Sequence, residues 1–404
     1  MTTTINNEQK KLNVPNLRFK EFQGEWEEKR LSEIAELYKG NGISKEQLSD
    51  RGEPCILYGE LYTKYKSEVI SEVVSKTNID TKKLVRSKAN DVIIPCSGET
   101  AEDIATARCV PYDNILLGGD LNIIRLHDTE GSFMSYQLNG KRKYDIAKVA
   151  QGVSVVHLYG EHLKGVKTYV PCVEEQKKIA RLLSLLDERI ATQSKVIEDL
   201  KKLKCAIIEK HYRQAKLHKY KICDLGVPFS VGSLSKEDLS EKGHECILYG
   251  ELFTTYDCVI NEIKSHTNKI ANMTLSQKRD LLFPSSTTVD AVSLISPSVI
   301  DIPNVVLGGD MFGIHIDKKF NAYYLSYYIN IIARKKLAIY AKGSTIIHLH
   351  YKDIAKAQLL LPDLCEQDRI AKCMMAEDDK IKVEEQLMTK LEEQKQYLLR
   401  QMFI

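Results

Sequence analysis

The stretch SKEQLSDRGEPCILYGELYTKY, residues 44–65, returns as SKEDLSEKGHECILYGELFTTY at residues 235–256. The offset is 191 residues, and it carries a later set of positions, Gly152, His157, Leu158, Pro171, Glu175 and Gln176, onto Gly343, His348, Leu349, Pro362, Glu366 and Gln367. The units of solenoid proteins run only about 20 to 50 residues, so a repeat this long can fold as a domain. The sequence therefore predicts two similar domains.

Between these anchors the two copies differ. Residues 66–86, KSEVISEVVSKTNIDTKKLVR, and residues 257–277, DCVINEIKSHTNKIANMTLSQ, share little beyond a Thr-Asn pair. A common framework with different intervening residues indicates two domains that perform the same task on different targets.

Composition predicts a folded protein without a membrane segment. The chain is 43% hydrophobic over 404 residues, enough for proper cores, and has no run of about 18 apolar residues and no apolar leader. Its ten cysteines include no CxxC pair, so we expect reduced, buried thiols in a cytoplasmic protein. The net charge of +3 neither indicates nor excludes nucleic-acid binding.

The order of local patterns predicts an α+β fold. Short β-like runs such as CILYGEL, VIIPCSG and ILLGGDLNIIRL are bounded by turn formers and recur in the second copy as CILYGEL, LLFPSS and VVLGGDMFGIHI. Helical patterns follow at residues 132–150 and 322–341. This mixture favours a mostly antiparallel sheet in each domain.

Each copy ends in a long segment without proline or glycine, which predicts a long helix. We expect domains at residues 14–173 and 214–363 and spacer helices at 174–213 and 364–404. Apolar residues spaced alternately by three and four indicate a coiled-coil seam, formed by Leu183, Leu186, Ile190, Ile197, Leu200 and Ile207 in the first helix and Met374, Ile381, Met388, Leu391 and Leu398 in the second. Polar seam positions, Gln193 with Glu384 and Lys204 with Lys395, are expected to fix the alignment.

The two seams are most simply satisfied by each other. An antiparallel pair would give a dumbbell with pseudo-twofold symmetry, in which two globular domains are held a fixed distance apart. The alternative is two independent amphipathic helices, each packed on its own domain.

Catalytic motifs are missing. We find no phosphate-binding loop, dinucleotide fingerprint, zinc-protease motif, nucleophile elbow or kinase set. Glu175-Gln176-Lys177 resembles a nuclease motif, but its copy ends in Asp368. His157 and His348 are interpreted as structural histidines, and the two LGGD segments as turns that need the positive φ of glycine.

Polar and basic residues that follow strands or open helices are the candidates for DNA contact, because such side chains grip phosphates and reach base edges. In the first copy these are Lys64, Tyr65, Lys66, Ser97, Thr100, Lys141, Arg142 and Lys143. In the second copy they are Thr254, Thr255, Tyr256, Ser285, Ser286, Thr287, Arg334, Lys335 and Lys336.

The chain resembles the specificity subunit of type I restriction-modification enzymes. In that family a glycine, a β segment, a proline and then Glu-Gln lead from each domain into its long helix. Pro171-Cys172-Val173-Glu174-Glu175-Gln176 and Pro362-Asp363-Leu364-Cys365-Glu366-Gln367 fit this junction, and residues 14–37 resemble the start of the family's chains.

The resemblance implies a non-catalytic subunit whose two domains each read one half of a bipartite, asymmetric double-stranded DNA target. The helices would set the spacing and dock two methyltransferase subunits. Two restriction-translocase subunits would complete the complex, and S-adenosylmethionine, ATP and Mg²⁺ would bind the partners, with no cofactor in this chain. The alternatives are a coiled-coil scaffold without DNA specificity and an enzyme that acts alone.

Overall fold

The computed structural model describes residues 12–152 and 155–404 and divides into two units. Unit 1 contains the chain up to Ser194 together with Gln386–Ile404, and unit 2 is the continuous segment Lys195–Glu385. Both long helices cross this division. Each unit therefore consists of a globular part and a portion of each helix.

Unit 1 is built on two sheets. Its strands are β1 Glu27–Arg30, β2 Ala35–Lys39, β3 Leu48–Ser49, β4 Glu53–Ile56, β5 Ser75–Thr77, β6 Val85–Arg86, β7 Asp91–Pro95, β8 Ser97–Gly98, β9 Arg108–Val110, β10 Leu116–Leu117, β11 Leu121–Leu126, β12 Val156–His157 and β13 Lys167–Val170. The sheet orders are β2-β11-β7-β9 and β3-β5-β4-β10-β6, while β1 pairs with β13 and β8 with β12. The pair β4 and β10 is parallel and the other pairs are antiparallel.

Short helices cover the first sheet of unit 1. They are α1 Leu31–Ile34, α2 Glu60–Thr63, α3 Ala101–Ile104, α4 Gly131–Asn139, α5 Lys143–Val149 and α6 Gly160–Leu163, and the long helix α7 spans Val173–Gln214. The predicted helical stretch 132–150 is thus two helices, separated where Gly140 lies against the backbone of Tyr136 and Leu399. β7 is buried along its whole length and forms the centre of the core.

Unit 2 repeats this plan. Its strands are β14 His218–Lys221, β15 Gly226–Ser230, β16 Leu239–Ser240, β17 His244–Leu248, β18 Val259–Ile260, β19 Ser265–Thr267, β20 Thr274–Leu275, β21 Asp280–Pro284, β22 Ser286–Thr287, β23 Ser298–Ile300, β24 Val306–Gly308, β25 Met311–Ile316, β26 Ile347–His348 and β27 Gln358–Leu361. The sheet orders are β15-β25-β21-β23-β18 and β16-β19-β17-β24-β20, with pairs β14-β27 and β22-β26. The predicted α+β class with mostly antiparallel sheets is confirmed in both units.

The helices of unit 2 follow the same order. They are α8 Glu251–Thr254, α9 Ala291–Leu294, α10 Ala322–Tyr328, α11 Arg334–Ala338, α12 Tyr351–Ile354 and α13 Leu364–Gln401, the last of which continues into unit 1. A π-helical segment, Ile329–Ala333, joins α10 to α11. None of the described helices is long and apolar enough to cross a membrane.

The predicted seam is reproduced in the burial of both long helices. The residues of the seam in α7 and α13 are buried or half-buried, whereas most of the positions between them are exposed. Within unit 1 Asp187 meets Lys395, and within unit 2 Lys204 meets Asp378. In unit 2 Lys201 also pairs with Glu385, and in unit 1 Leu183 belongs to the same buried cluster as Leu399, so in each unit the two helices run antiparallel.

The Glu-Gln pair at the start of α7 is structural. Gln176 accepts a hydrogen bond from the Glu130 N–H at 2.8 Å and donates one to the Pro171 carbonyl at 2.8 Å. Gln367 makes the same two bonds, to Asn321 and Pro362, at the start of α13. Each glutamine thus ties the beginning of its long helix to the beginning of α4 or α10.

Glu175 is fully buried and receives two hydrogen bonds from Arg18, both at 2.8 Å. Its side chain is therefore committed to an ion pair that attaches the N-terminal segment to α7. This accounts for Glu175 without any catalytic role.

The last residues of the chain complete the core of unit 1. Phe403 is 2% exposed and packs against Trp26 and Phe133, with ring centroids 6.3 and 5.3 Å away. The Leu17 N–H donates to the Gln401 carbonyl at 2.9 Å. The two ends of the described chain therefore meet in one core.

The expectation that glycine supplies the positive φ of the LGGD turns holds in one turn and is wrong in the other. In the first LGGD turn the positive φ belongs to Asp120, at +57°, and in the second it belongs to Gly309, at +93°. Gly40 is required for another reason, since a Cβ there would lie 2.0 Å from the Gly118 carbonyl oxygen.

The cysteines are free, but not all are buried as expected. Cys172, Cys205, Cys223 and Cys365 are exposed. Each lies in or beside a helix, where the face of the helix that carries the residue decides its burial.

Candidate nucleic-acid interface

Each unit has a two-stranded sheet that extends from the end of a core strand. In unit 1, β8 pairs with β12, with Ser97 opposite His157. The residue before β8, Cys96, donates its N–H to the Asp120 carbonyl at 2.7 Å. In unit 2, β22 and β26 pair in the same way, with Ser286 opposite His348.

Helices lie beside these small sheets. In unit 1, α3 packs on β8, β12 and α5, and in unit 2, α9 packs on β22, β26 and α11. We call residues 97–104, 143–149 and 155–159 end surface 1, and residues 286–294, 334–339 and 346–350 end surface 2. These are the regions where the structure gathers the largest share of the predicted contact residues.

Three predicted residues come together on end surface 1. Ser97 is half-buried and donates to Asp120 Oδ2 at 3.1 Å. Thr100 is exposed and caps α3 by accepting the Asp103 N–H at 3.0 Å. Lys143 is the first residue of α5, which packs on α3. Their polar groups therefore lie within one small area.

The Arg142 side chain makes several contacts within unit 1, whereas the Lys141 side chain is exposed. The Arg142 guanidinium donates to the Ile404 carbonyl at 2.8 Å, pairs with Asp145 at 3.1 Å and lies 5.4 Å from the centre of the Tyr169 ring. Lys141 is exposed. Arg142 thus attaches the chain end to unit 1, while Lys141 faces solvent.

Lys64, Tyr65 and Lys66 lie outside end surface 1. They line a pocket of about 760 Å³ within unit 1 together with residues between 67 and 74 and with α7 and α13 residues, including Asp187. The Lys64 ammonium donates to Glu60 at 2.7 Å and to Ser75 at 2.8 Å.

Tyr65 is a core residue. Its side chain is 7% exposed, burial raises the pKa of Tyr65 to about 12, and its hydroxyl accepts the Val74 N–H at 3.4 Å. The structure therefore gives it a packing role beneath the surface.

The predicted residues of unit 2 divide in the same way. Ser285 and Ser286 are buried, Thr287 is half-buried, and Arg334 donates to the Val292 carbonyl at 2.8 Å. Lys335 and Lys336 are exposed on α11. End surface 2 thus exposes Lys335 and Lys336, whereas the other predicted contact residues there are buried, half-buried or hydrogen-bonded.

Thr254, Thr255 and Tyr256 lie away from end surface 2, at the end of α8. Thr254 Oγ1 donates to the Gly250 carbonyl at 3.2 Å, and the Tyr256 hydroxyl accepts the Lys264 N–H at 3.1 Å. Thr255 and Tyr256 line a pocket of about 300 Å³ with residues of α13 from the same unit. Thr255 and Tyr256 are the counterparts of Lys64 and Tyr65, and each pair lines a pocket together with residues of α13.

The sequence interpretation missed a set of exposed rings. Tyr58 and Tyr62 line a pocket of about 750 Å³ together with Ser97 and Val155, and Tyr62 donates its hydroxyl hydrogen to the Ser97 carbonyl at 3.1 Å. Partial burial raises the pKa of Tyr62, so this hydroxyl stays protonated at neutral pH. The pocket opens beside end surface 1.

His157 and His348 each end a short strand just before a helix, the strand-helix junction expected of them, and their side chains are exposed. Side chains alternate across a strand, so Val156, 6% exposed, points inward and His157 outward. The His157 ring stacks on Tyr159 at 6.1 Å, and His348 stacks on His350 at 6.2 Å.

A buried ionic cluster fixes the globular part of unit 1 to both long helices. The Lys395 ammonium contacts Asp187 Oδ1 at 2.6 Å and Glu68 Oε2 at 2.5 Å, and the Tyr136 hydroxyl donates to Asp187 Oδ2 at 2.7 Å. Burial opposes the charge on Lys395, but the two carboxylates raise its pKa overall. Burial also raises the pKa of Glu68.

Unit 2 contains the equivalent cluster at an offset of 191 residues. Lys204 pairs with Asp378, and the Tyr327 hydroxyl donates to Asp378 Oδ2 at 2.5 Å. Cys258 occupies the place of Glu68, since its carbonyl accepts from Ser326 as that of Glu68 accepts from Ser135. Both units thus attach a helix of the globular part to α7 and α13 through a Lys-Asp-Tyr cluster.

Among residues 12–152 and 155–404, no group of three or more His, Cys, Asp or Glu side chains is arranged to hold a metal ion.

Comparison with known families identifies the family of the chain. Residues 23–202 and 261–393 match the family described as the type I restriction modification DNA specificity domain. The chain belongs to this family. It carries two domains for DNA target recognition, which confirms the resemblance found in the sequence. Specificity subunits are non-catalytic components of type I systems.

Curated relatives match almost end to end. The chain is 24% identical to the putative type I restriction enzyme MjaX specificity subunit of Methanocaldococcus jannaschii, covering 96% of this chain and 95% of the relative. It is 23% identical to the MjaVIII specificity subunit of the same organism, over 94% of each.

Solved structures share the fold of this family member. The type I restriction-modification S subunit from M. genitalium matches with a TM-score of 0.63 at 16% identity, over 97% of this chain and 99% of that one. A chain from a study of complex assembly and conformational transition in a type I R-M system matches with a TM-score of 0.57 at 14% identity, over 94% and 97%.

Proposed function

We propose that this chain is the DNA-reading subunit of a type I restriction-modification complex. Each unit reads one half of a bipartite, asymmetric duplex target, and α7 and α13 set the spacing between the halves. The observation that carries the proposal is the repeated Lys-Asp-Tyr cluster, which attaches two similar domains with different end surfaces to the same pair of helices.

The different end surfaces support an asymmetric target. Thr100 and Asp290 cap the equivalent helices α3 and α9. The residue before each cap is Glu99 in unit 1 and Val289 in unit 2, and the second residue of each helix is Glu102 or Val292. Side chains of such different chemistry read different base edges.

Partner subunits supply the chemistry in this proposal. Two methyltransferase subunits dock on the helices and bring S-adenosylmethionine, and two restriction-translocase subunits bring ATP and Mg²⁺. The coiled-coil scaffold without DNA specificity is the alternative, and it makes an opposite prediction for binding to duplex DNA.

Selection from random duplex DNA tests the proposal. The full chain is co-expressed with its methyltransferase partner, and bound duplexes are sequenced. We expect two short fixed blocks separated by a constant unspecified gap. Exchanging residues 214–363 for the corresponding domain of another specificity subunit should change one block and leave the other unchanged. A stable complex that enriches no sequence would support the scaffold.

Salt dependence gives a second measurement. Each neutralised phosphate contributes about 0.9 to the slope of log affinity against log salt concentration. Substituting Lys335 and Lys336 together by Gln should reduce this slope by about 2 if both lysines contact phosphates. The matched control is Lys202→Gln on the exposed face of α7, where Lys202 pairs with Glu198. An unchanged slope would remove α11 from the interface.

A further inference from the structure

End surface 2 carries exposed aliphatic side chains. Val289 is 73% exposed, Ile346 50% and Val292 38%. Single exposed apolar residues are common on protein surfaces, whereas clustered ones mark binding sites. The question is whether these three lie together.

Backbone pairing brings them together. Thr287 in β22 pairs with Ile347 in β26, and Ile346 directly precedes that pair. The Val289 N–H donates to Thr287 Oγ1 at 3.2 Å, which turns the chain back toward β22. Val292 follows one turn later in α9, which packs on both strands. The three side chains therefore belong to one apolar patch.

The surroundings of this patch are polar and cationic. Lys335 and Lys336 are exposed on α11, whose first residue, Arg334, is hydrogen-bonded to the Val292 carbonyl at 2.8 Å. His348 and His350 are exposed on the other side, along and after β26. The Asp290 carboxylate, between Val289 and Val292 in the chain, accepts the Val292 and Ser293 N–H groups at 2.8 Å. With this carboxylate engaged by the backbone, an apolar centre beside two lysines complements a DNA groove, in which base edges lie between two rows of phosphates.

End surface 1 differs at two of the three places, since Val155, 53% exposed, corresponds to Ile346. Glu99 and Glu102, both exposed, occupy the positions of Val289 and Val292 relative to the helix caps. Carboxylates accept hydrogen bonds from the amino group of cytosine and make no favourable contact with a methyl group. The two units thus differ in the class of base edge that they can recognise.

We propose that Val289, Val292 and Ile346 read thymine through its 5-methyl group in the major groove. Thymine is the base that presents an apolar group there, and aliphatic side chains contact it without requiring a hydrogen bond. The inference rests on the proposed function, because it assigns a base class to the half-site that unit 2 reads. End surface 1 keeps one aliphatic side chain, Val155, and has carboxylates at the other two places, so it makes fewer such methyl contacts.

Replacing thymine by uracil tests this directly, because uracil lacks the methyl group and keeps the same hydrogen-bonding edge. The target is found by selection with the full complex, and domain exchange assigns each block to a unit. We expect uracil in the unit 2 block to weaken binding by about fourfold for each contacted thymine, the effect of burying one methyl group. Uracil in the unit 1 block should weaken binding less, because Val155 is the one aliphatic counterpart of the patch there.

Variants connect the effect to the patch. Val289→Ser and Ile346→Ser remove the methyl groups and place a hydroxyl at the contact, so they should reduce the preference for thymine over uracil. Glu99→Gln on end surface 1 is the matched control and should leave that preference intact. The readout is the affinity ratio between thymine and uracil duplexes, which a general loss of folding would not alter selectively.

Several outcomes would overturn the inference while leaving the proposed function in place. One is a unit 2 block that contains no thymine, and another is equal affinity for both duplexes. Variants that lose the methyltransferase partner but keep the thymine preference would assign the patch to protein docking. If no blocks are selected at all, the proposed function itself fails, so the two failures are distinguishable.

Discussion

The two units hold the first residue of their central strand in different ways. In unit 1, Asp91 is 1% exposed and receives two hydrogen bonds from Arg125, at 3.0 and 2.8 Å. In unit 2, the equivalent Asp280, also 1% exposed, faces His315, whose Nδ1 lies 2.6 Å from Oδ1. The same buried carboxylate thus has a permanent cation in one unit and a titratable partner in the other.

The neighbouring ring changes with the cation. Tyr38 in β2 lies 4.9 Å from the Arg125 guanidinium carbon, and Phe229 at the same register in β15 stacks on the His315 ring at 4.2 Å. The partner of the carboxylate and the ring beside it both differ between the units, but in each unit the ring lies against that partner. Both units thus keep a buried carboxylate at this position, whereas the side chain that faces it differs between them.

The largest effect is expected when the buried lysine of the Lys-Asp-Tyr cluster is removed from each unit. Lys395→Met leaves Glu68 and Asp187 buried without their cation and should lower the stability of unit 1 by about 3 to 5 kcal/mol. Lys204→Met removes the partner of Asp378, whose side chain is 31% exposed, and should cost about 1 to 3 kcal/mol in unit 2. Hydrogen exchange resolved by peptide measures both, and equal losses would contradict the assigned difference.

Arg125→His makes unit 1 imitate unit 2. Asp91 then loses a bidentate partner, so we expect a loss of about 1 to 3 kcal/mol. The loss should grow between pH 6 and pH 8, because the ordinary histidine pKa is about 6.5 and the neutral ring no longer offsets the carboxylate charge. The measurement is urea unfolding at several pH values.

The reciprocal variant, His315→Arg, serves as the control for that experiment. It gives Asp280 the kind of partner that Asp91 has in unit 1, and its urea unfolding is measured at the same pH values. A pH-independent loss in Arg125→His would show that geometry alone, and not charge, distinguishes the two sites.

Asp280→Asn isolates the carboxylate of unit 2. Burial raises the pKa of Asp280, although the Gln277 N–H and His315 act in the opposite direction. A carboxyl with a raised pKa contributes stability below its unfolded pKa and loses that contribution as the pH rises through its folded pKa. Wild type should therefore lose stability relative to Asp280→Asn as the pH rises through this window. Denaturant titrations measure it, and a change of the opposite sign would refute it.

An exposed pair should show the smallest effect. Lys201 and Glu385 form an ion pair at 2.7 Å on the surface of the two long helices in unit 2, with side chains 58% and 48% exposed. Lys201→Ala should change stability by less than about 1 kcal/mol, because solvent screens such pairs. A loss as large as that of Lys204→Met would show that burial does not govern these contacts.

The repeat and the long helices could be predicted because their signals are periodic. The seam positions step by three and four, and the sheet strands are apolar runs between turn formers. These two spacings involve residues that are close together in the chain, so they can be recognised in a single sequence.

The ionic clusters were missed because Asp187 and Asp378 lie beside the seam and Tyr136 and Tyr327 lie in distant helices. A signal did exist, since Tyr, Asp and Lys all recur at an offset of 191 residues. Identical polar residues at matching positions of two divergent copies are candidates for shared structural contacts.

The face of a one-turn helix could not be predicted. In α2 and the residues around it, Tyr58 and Tyr62 are exposed while Tyr65 is buried, and all three belong to one short polar and aromatic run. A helix of four residues is too short for its periodicity to distinguish inward from outward positions. The contact residues proposed from sequence were therefore spread over surfaces that only the fold separates.

The position of Phe403 beside Trp26 has a consequence for the order of folding during synthesis. Unit 2 is continuous in sequence, whereas unit 1 needs residues 386–404 to close its core. The ribosome makes those residues after all of unit 2. The domain translated first must therefore wait, partly open, until the domain translated second has been made.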